Sequence, residues 1–343
     1  MLNARTEDVR ELYSKYPYPS PIVGTTLSYD IASLFSILCR GDDLEQKKIL
    51  DAGCGTGQRM LGFAKRYPKA TFQGIDITES SLEVAGSLAQ KHGISNATFT
   101  AANILELDLS ERFDFIVSTG VVHHLEDPVR GLHNLCRHLS DDGVICIWHY
   151  HPFGEFERLL GRELLLTLWG DDRSRLATGR RIMEKLNLSI VPQQYGESAT
   201  QGDGDLSPLS ISADAFMHPI VNAFRFQEAM TMFRDSTLDW VAVNGINTKW
   251  SMKLIDLAQV EEYGRALCVQ DSELFDEKTL LSLYQGLSKI EKLKIIELVT
   301  KPTGFTVLAG REDSFQQLGK RIEGNLVSIE SLTDAPARLL RVS

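Results

Sequence analysis

The chain of 343 residues is 43% hydrophobic and 24% charged, an ordinary globular composition with length for one large domain or a core with additions. A formal charge of −10 argues against a protein that holds nucleic acid mainly through dense lysine and arginine contacts to phosphate. The five cysteines (Cys39, Cys54, Cys136, Cys146, Cys268) form no C-x-x-C pair and read as buried reduced thiols. The start lacks a signal-peptide core and no run of about 18 apolar residues follows, so a cytoplasmic protein without a membrane span is expected.

Thr6 is placed to cap a helix carrying Val9, Leu12, Tyr13 and Tyr16 at helical spacing, and "PYPSP" ends it because each proline fixes its own φ. A second apolar helical pattern runs from Leu27 to Cys39. From Lys48 the strands "KILDAG", "ATFQGID", "ATFTA", "FDFIVST" and "GVICIWHY" follow one another, with helical patterns "QRMLGFAKRY", "TESSLEVAGSLAQKHG" and "PVRGLHNLCRHL" among them. Such alternation predicts a doubly wound, mainly parallel α/β sheet whose ligands sit at the carboxyl ends of strands.

Beyond Tyr150 a stripe of Phe156, Leu159, Leu160, Leu164 and Leu168 predicts one helix, and Arg173 to Leu188 a second. The stretch "VPQQYGESATQGDGDLSPLSIS" is expected to be a mobile loop or lid. "LDWVAVNG" and "GFTVLAG" are the last core strands, with helices over roughly 251–300 between them, and periodicity is weak from Glu312 onward. The expected organisation is a helical cap over 1–46, a cofactor-binding core over 47–150 and a helical and loop substrate lid over 151–236. Residues 237–311 then carry the last strands with a helical insertion, and 312–343 form a tail.

The most informative stretch is "ILDAGCGTGQ", a strand ending at Asp51 that runs into three alternate glycines before a helix. Residues without a Cβ let a ligand lie against the main chain, near free helix N–H groups. A dinucleotide fingerprint would need G-x-G-x-x-G; that register falls on Gly53, Gly55 and Gln58, so the third glycine is missing and a pyrophosphate is disfavoured.

The sequence here resembles the class I S-adenosylmethionine-dependent methyltransferases, whose first motif is an acidic residue followed by x-G-x-G-x-G, matched by Asp51, Gly53, Gly55 and Gly57. Asp76 in "GIDIT" stands 23 residues after Gly53, and "FDFIVSTGVVHHLEDP" resembles the fourth-strand motif, with Gly120 a further 44 residues on. The resemblance implies S-adenosyl-L-methionine as cofactor, and a Rossmann-like, mainly parallel seven-stranded sheet with a helical N-terminal cap and helical insertions after strands 5 and 6. It implies cofactor contacts from Asp51, Gly53, Cys54, Gly55, Gly57, Asp76, Ile77, Asn103, Ile104, Thr119 and Gly120. Asn103 departs from the acidic residue of many members, although its side-chain oxygen can still accept from an adenine amino group.

On the acceptor side, His123 and His124 are candidates for a general base, with packing around the cofactor as the alternative. His149, His151 and Tyr18 are candidate substrate contacts. The two histidines share a strand face, but no third ligand is identifiable, so no metal site is expected. Tyr13 and Tyr16 fit core packing as well as the cap that the resemblance implies folds over the cofactor, and His218 fits either the cleft or a turn before Pro219. Arg158, Arg162, Arg173, Arg175, Arg180 and Arg181 fit an anion pocket or, with acidic residues interleaved, a solvated helix face. The expected function is methyl transfer to a small-molecule acceptor through an O, N or C nucleophile. An RNA or protein acceptor, or a cofactor-binding protein without turnover, are the alternatives; the acidic balance disfavours nucleic acid, and a homo-oligomer is compatible with the sequence.

Overall fold

The computed structural model describes residues 4–18, 23, 44–170, 176–186, 208–248, 252–255, 267–314 and 325–333. The expected helix over 27–39 and the stretch 191–207 lie outside these residues. The strands are β1 (Lys48–Ala52), β2 (Thr71–Asp76), β3 (Ala97–Ala101), β4 (Phe113–Thr119), β5 (Leu139–Tyr150), β6 (Trp240–Asn247), β7 (Met252–Leu254), β8 (Gly304–Gly310) and β9 (Val327–Ser328). They make one sheet of order β3-β2-β1-β4-β5-β8-β6-β7, with β9 on β6.

β3, β2, β1, β4 and β5 run parallel, while β8 is antiparallel to β5 and to β6. The order turns back between β1 and β4, which is where a doubly wound sheet opens a crevice at its carboxyl edge. Sequence-remote strands β6 and β8 complete the expected seven. The short β7 and β9 are additions, and β7 occupies part of a span expected to be helical.

The central strands are apolar in both registers because both faces are covered. Leu50, Ile116, Ile145, Val243 and Val307 build one core, and their neighbours Ile49, Phe115, Cys146, Ala242 and Leu308 build the other. The helices are α1 (Ala4–Lys15), α2 (Gln58–Arg66), α3 (Glu79–Lys91), α4 (Pro128–Arg137), α5 (Phe156–Trp169), α6 (Leu176–Lys185), α7 (Pro208–Met217), α8 (Phe226–Thr231), α9 (Asp271–Leu274), α10 (Lys278–Gln285) and α11 (Lys289–Thr300). α4 starts as its sequence predicts, with Pro128 at the first helical position and the Asp127 carboxylate accepting from the Arg130 N–H at 3.0 Å.

Two expectations are corrected. Thr6 does not cap α1, which begins at Ala4; it is buried within the helix. Residues 208–212 of the expected lid loop are the start of α7. The leucine stripe forms the helix α5 as its spacing predicts; within it Leu159 is buried, Phe156, Leu160 and Leu168 are exposed, and Arg158 and Arg162 turn inward with Leu165. The four cysteines among the described residues are buried free thiols.

The far end of β5 is tied to α11 through a buried ion network. Glu297 accepts from His151 Nε2 at 3.0 Å, from Arg225 Nε at 2.6 Å and Nη2, and from the Phe226 N–H at 3.1 Å. Burial pushes the Glu297 carboxyl up, and the donors from His151 and Arg225 outweigh it and hold the group below its ordinary value. A depressed carboxyl contributes stability above its unfolded pKa and loses it as pH falls through the folded one. Glu297→Ala leaves the Arg225 charge unpaired in the interior and is expected to destabilise by about 3–5 kcal/mol, read from urea unfolding.

Candidate active site

At the carboxyl edge of the sheet a cleft opens beside β1, β2, β3 and β4, enclosing about 970 Å³ of non-atom space, part of it open to solvent. Its floor is the glycine turn. Gly53, Gly55 and Gly57 all have φ between +54° and +82°, a region that costs residues with a Cβ roughly 1–2 kcal/mol. The Gly53 and Cys54 N–H groups donate to Ile75 O at 2.7 and 2.9 Å, which docks the turn on β2. Gly55 N–H donates to Asp76 Oδ2 at 2.9 Å, Thr78 N–H donates to Asp76 Oδ1 at 2.9 Å, and the Ser118 hydroxyl ties β4 to Ala52 O at 2.7 Å.

Of the residues that the sequence nominates, Asp51, Gly53, Cys54, Gly55, Asp76, Ile77, Asn103, Ile104, Thr119, Gly120, Tyr18 and His124 line this cleft together. Gly57 does not: an added Cβ there would stand 2.9 Å from Ala85 Cβ, so its bareness serves the packing of α2 on α3. The Asn103 side-chain oxygen accepts from the Leu105 N–H at 3.0 Å and so caps the short turn Ile104–Glu106.

His123, His149 and His151 are not in the lining. His123 is fully buried behind His124, with ring centroids 4.3 Å apart, and 4.1 Å from the Tyr150 ring. His149 packs on Phe224 and Phe305. His151 belongs to the Glu297 network, its Nδ1 accepting from the Phe153 N–H at 3.2 Å.

Among the other lining residues Arg59, the second residue of α2, carried no sequence signal; it donates to Thr119 O at 3.2 Å and faces the same cleft as Asp51. Tyr13 lines the cleft from α1, and its hydroxyl donates to buried Asp214 of α7 at 2.6 Å. This bond carries the N-terminal helix across the mouth of the site, and Leu12 packed with Leu165 and Phe216 supports it.

The cleft is acidic at the glycine turn and basic behind His124. Burial raises the Asp51 carboxyl to about 6, against the opposing pull of Arg59 and with a further push from Asp76. Burial also raises Asp76, which the N–H groups of Thr78 and Gly55 partly offset. His124 Nδ1 lies 2.7 Å from Ile220 O; a carbonyl can only accept, so Nδ1 carries the proton and Nε2 is the lone-pair nitrogen. Burial lowers its pKa to about 3, with Arg158 and Arg162 adding to the shift, so the ring is neutral near pH 7.

Comparison with known proteins agrees with this layout. Residues 43–173 match a family of methyltransferase domains. An uncharacterized protein of Synechococcus sp. is 28% identical over 91% of this chain and 73% of its own length. A malonyl-[acyl-carrier protein] O-methyltransferase of Bacillus cereus is 33% identical over 36% of this chain. The solved PKMT2 of Rickettsia typhi in complex with AdoHcy superposes with a TM-score of 0.57 at 20% identity over 88% of this chain, a likeness of fold. The chain spans 48% of the Bacillus protein and 57% of the Rickettsia chain. Residues 43–173 therefore carry the features of the methyltransferase domain that they match, on a mainly parallel sheet that turns back above a glycine-rich turn.

Proposed function

We propose that the chain transfers a methyl group from S-adenosylmethionine to a small-molecule acceptor. The observation that carries this is the cleft itself: a bare glycine turn, two half-buried carboxylates and an imidazole with a free lone pair meet at the switch point of the sheet. The donor set fits the cofactor. Asp51 is a half-buried carboxylate for the ammonium of its amino-acid end. Asp76 has lone pairs beyond those used by Gly55 and Thr78 for ribose hydroxyls, and the glycines give main-chain approach. Gly120, where an added Cβ would meet nothing within 4 Å, and Thr119 flank the site from β4. Bound there, S-adenosylmethionine supplies a methyl group already activated by its sulfonium.

The chain then has to position the acceptor, exclude water and, where the nucleophile carries a proton, take it up. His124 is the assigned base, oriented by Ile220 O, with His123 as its packing partner; Tyr18 at the cleft wall is an acceptor contact. The malonyl-[acyl-carrier protein] O-methyltransferase among the relatives is consistent with an oxygen acceptor. The net charge of −10 supports a small molecule over nucleic acid. Among the described residues no helix is long and apolar enough to cross a membrane. A cytoplasmic location is part of this reading.

The proton on Asp51 gives a signature of cofactor binding. An ammonium favours the carboxylate, so binding expels the proton that Asp51 holds below about pH 6. S-adenosylhomocysteine affinity is therefore expected to be flat above pH 7 and about tenfold weaker at pH 5. Asp51→Asn should lose that slope along with affinity, as calorimetry at several pH values would register. Turnover itself is tested by incubating the protein with methyl-labelled cofactor and a small-molecule cell fraction, then identifying the labelled product by mass. Label that appears only on protein or RNA when these are supplied contradicts the small-molecule reading.

A further inference from the structure

α5 turns its charge inward. Arg158 is 6% exposed and Arg162 7%, whereas Phe156, Leu160 and Leu168 on the other side are 45%, 48% and 50% exposed. An amphipathic helix ordinarily does the reverse. Arg158 Nη1 donates to Ala215 O at 2.9 Å, its Nε pairs with Glu155, and its guanidinium lies 4.1 Å over the Tyr150 ring. Arg162 Nη2 donates to His218 O at 2.9 Å. Arg158 Nη2 and Arg162 Nε are buried with no hydrogen-bond partner.

Among the described residues Glu155 is the one carboxylate paired with either guanidinium. Asp214, engaged by the Tyr13 hydroxyl, attracts Arg158 through space and Glu163 attracts Arg162, but none of the three carboxylates fills Arg158 Nη2 or Arg162 Nε. Two buried guanidiniums four residues apart repel each other, and each lowers the pKa of His124 beside them. A protein does not ordinarily bury a cation and leave its donors unmade without a partner to receive them.

This basic cluster adjoins the donor cleft. The His218 ring, whose backbone carbonyl holds Arg162, stacks on His124 at 3.7 Å. The Tyr150 ring under Arg158 lies 5.6 Å from the His124 ring, and His124 lines the cleft.

We propose that Arg158 and Arg162 form an anion subsite beside His124 that holds a carboxylate of the methyl acceptor, so that the acceptor is a small organic acid. The inference rests on the methyltransferase reading above. Guanidinium N–H groups can only donate, and a carboxylate presents two oxygens that only accept. One unmade donor on each guanidinium matches the two oxygens of a single carboxylate. A carboxylate seated there also offsets the part that Arg158 and Arg162 add to the burial that keeps His124 a weak base.

The test uses the full-length protein, methyl-labelled cofactor and the small-molecule fraction of a bacterial extract, untreated, treated with phosphatase, or stripped on an anion-exchange resin. Labelling is expected in the untreated and phosphatase-treated fractions and to vanish in the stripped one. Arg162→Gln should raise the acceptor concentration needed for half-maximal rate about 30-fold while S-adenosylhomocysteine affinity stays within twofold, with partial recovery in Arg162→Lys. Labelling that survives the resin, disappears with phosphatase, or proceeds unchanged in Arg162→Gln overturns the subsite. No labelling in any fraction by the wild-type protein instead contradicts the small-molecule methyltransferase reading beneath it.

Discussion

Gly53→Val is expected to weaken S-adenosylhomocysteine binding at least about 100-fold and to lower stability by about 2–5 kcal/mol. Gly53 has φ +82°, and a Cβ built there would stand 2.3 Å from Val121 Cγ2 and 2.7 Å from Cγ1. Val121 itself lines the cleft, so the turn cannot shift to relieve the contact without moving the wall opposite. The hydrogen bonds from Gly53 and Cys54 to Ile75 O are also at stake, since they seat the turn that presents Asp51 and Asp76. Combining Gly53→Ala with Val121→Ala removes the collision and leaves the backbone strain. This pair should regain part of the stability lost by Gly53→Ala alone, as urea melts would report; full recovery would show that the positive φ carries no cost.

His124→Asn is expected to lower kcat about 100-fold while cofactor affinity remains within twofold. Asparagine can keep a donor near Ile220 O, in place of the imidazole Nδ1–H now at 2.7 Å, and it removes the lone pair of Nε2. His123→Asn is the informative partner, because His123 lies behind His124 and outside the cleft. Its effect should fall on stability through the lost contacts with Tyr150 and Trp148. Equal turnover of wild type and His124→Asn at saturating cofactor and acceptor would remove the base from the mechanism and leave positioning alone.

The donor half of the site is legible in the sequence because its parts are local. A strand, a turn with three glycines, and an acidic residue closing the next strand are set by backbone conformation over short stretches, and the sheet order brings them to one edge. The proposed acceptor half is not local. Arg158 and Arg162 alternate with leucines at helical spacing, and which stripe faces inward is decided by Ala215 and His218, more than fifty residues away. Tyr13 gives the same lesson: its spacing in α1 fits a core residue, while its hydroxyl reaches Asp214 some 200 positions later. The histidines at the end of β5 stand at the expected edge of the sheet but point to other tasks, His151 to Glu297 and His149 to Phe224 and Phe305.

Calorimetric titration of the wild-type protein with S-adenosylmethionine at pH 7.5 reaches the heart of this account. The cleft at the switch point predicts one equivalent bound with a Kd on the order of micromolar, and loss of that binding in Asp76→Ala with folding intact. A folded wild-type protein that gives no binding up to millimolar cofactor, or an Asp76→Ala variant that binds as well as wild type, would contradict it.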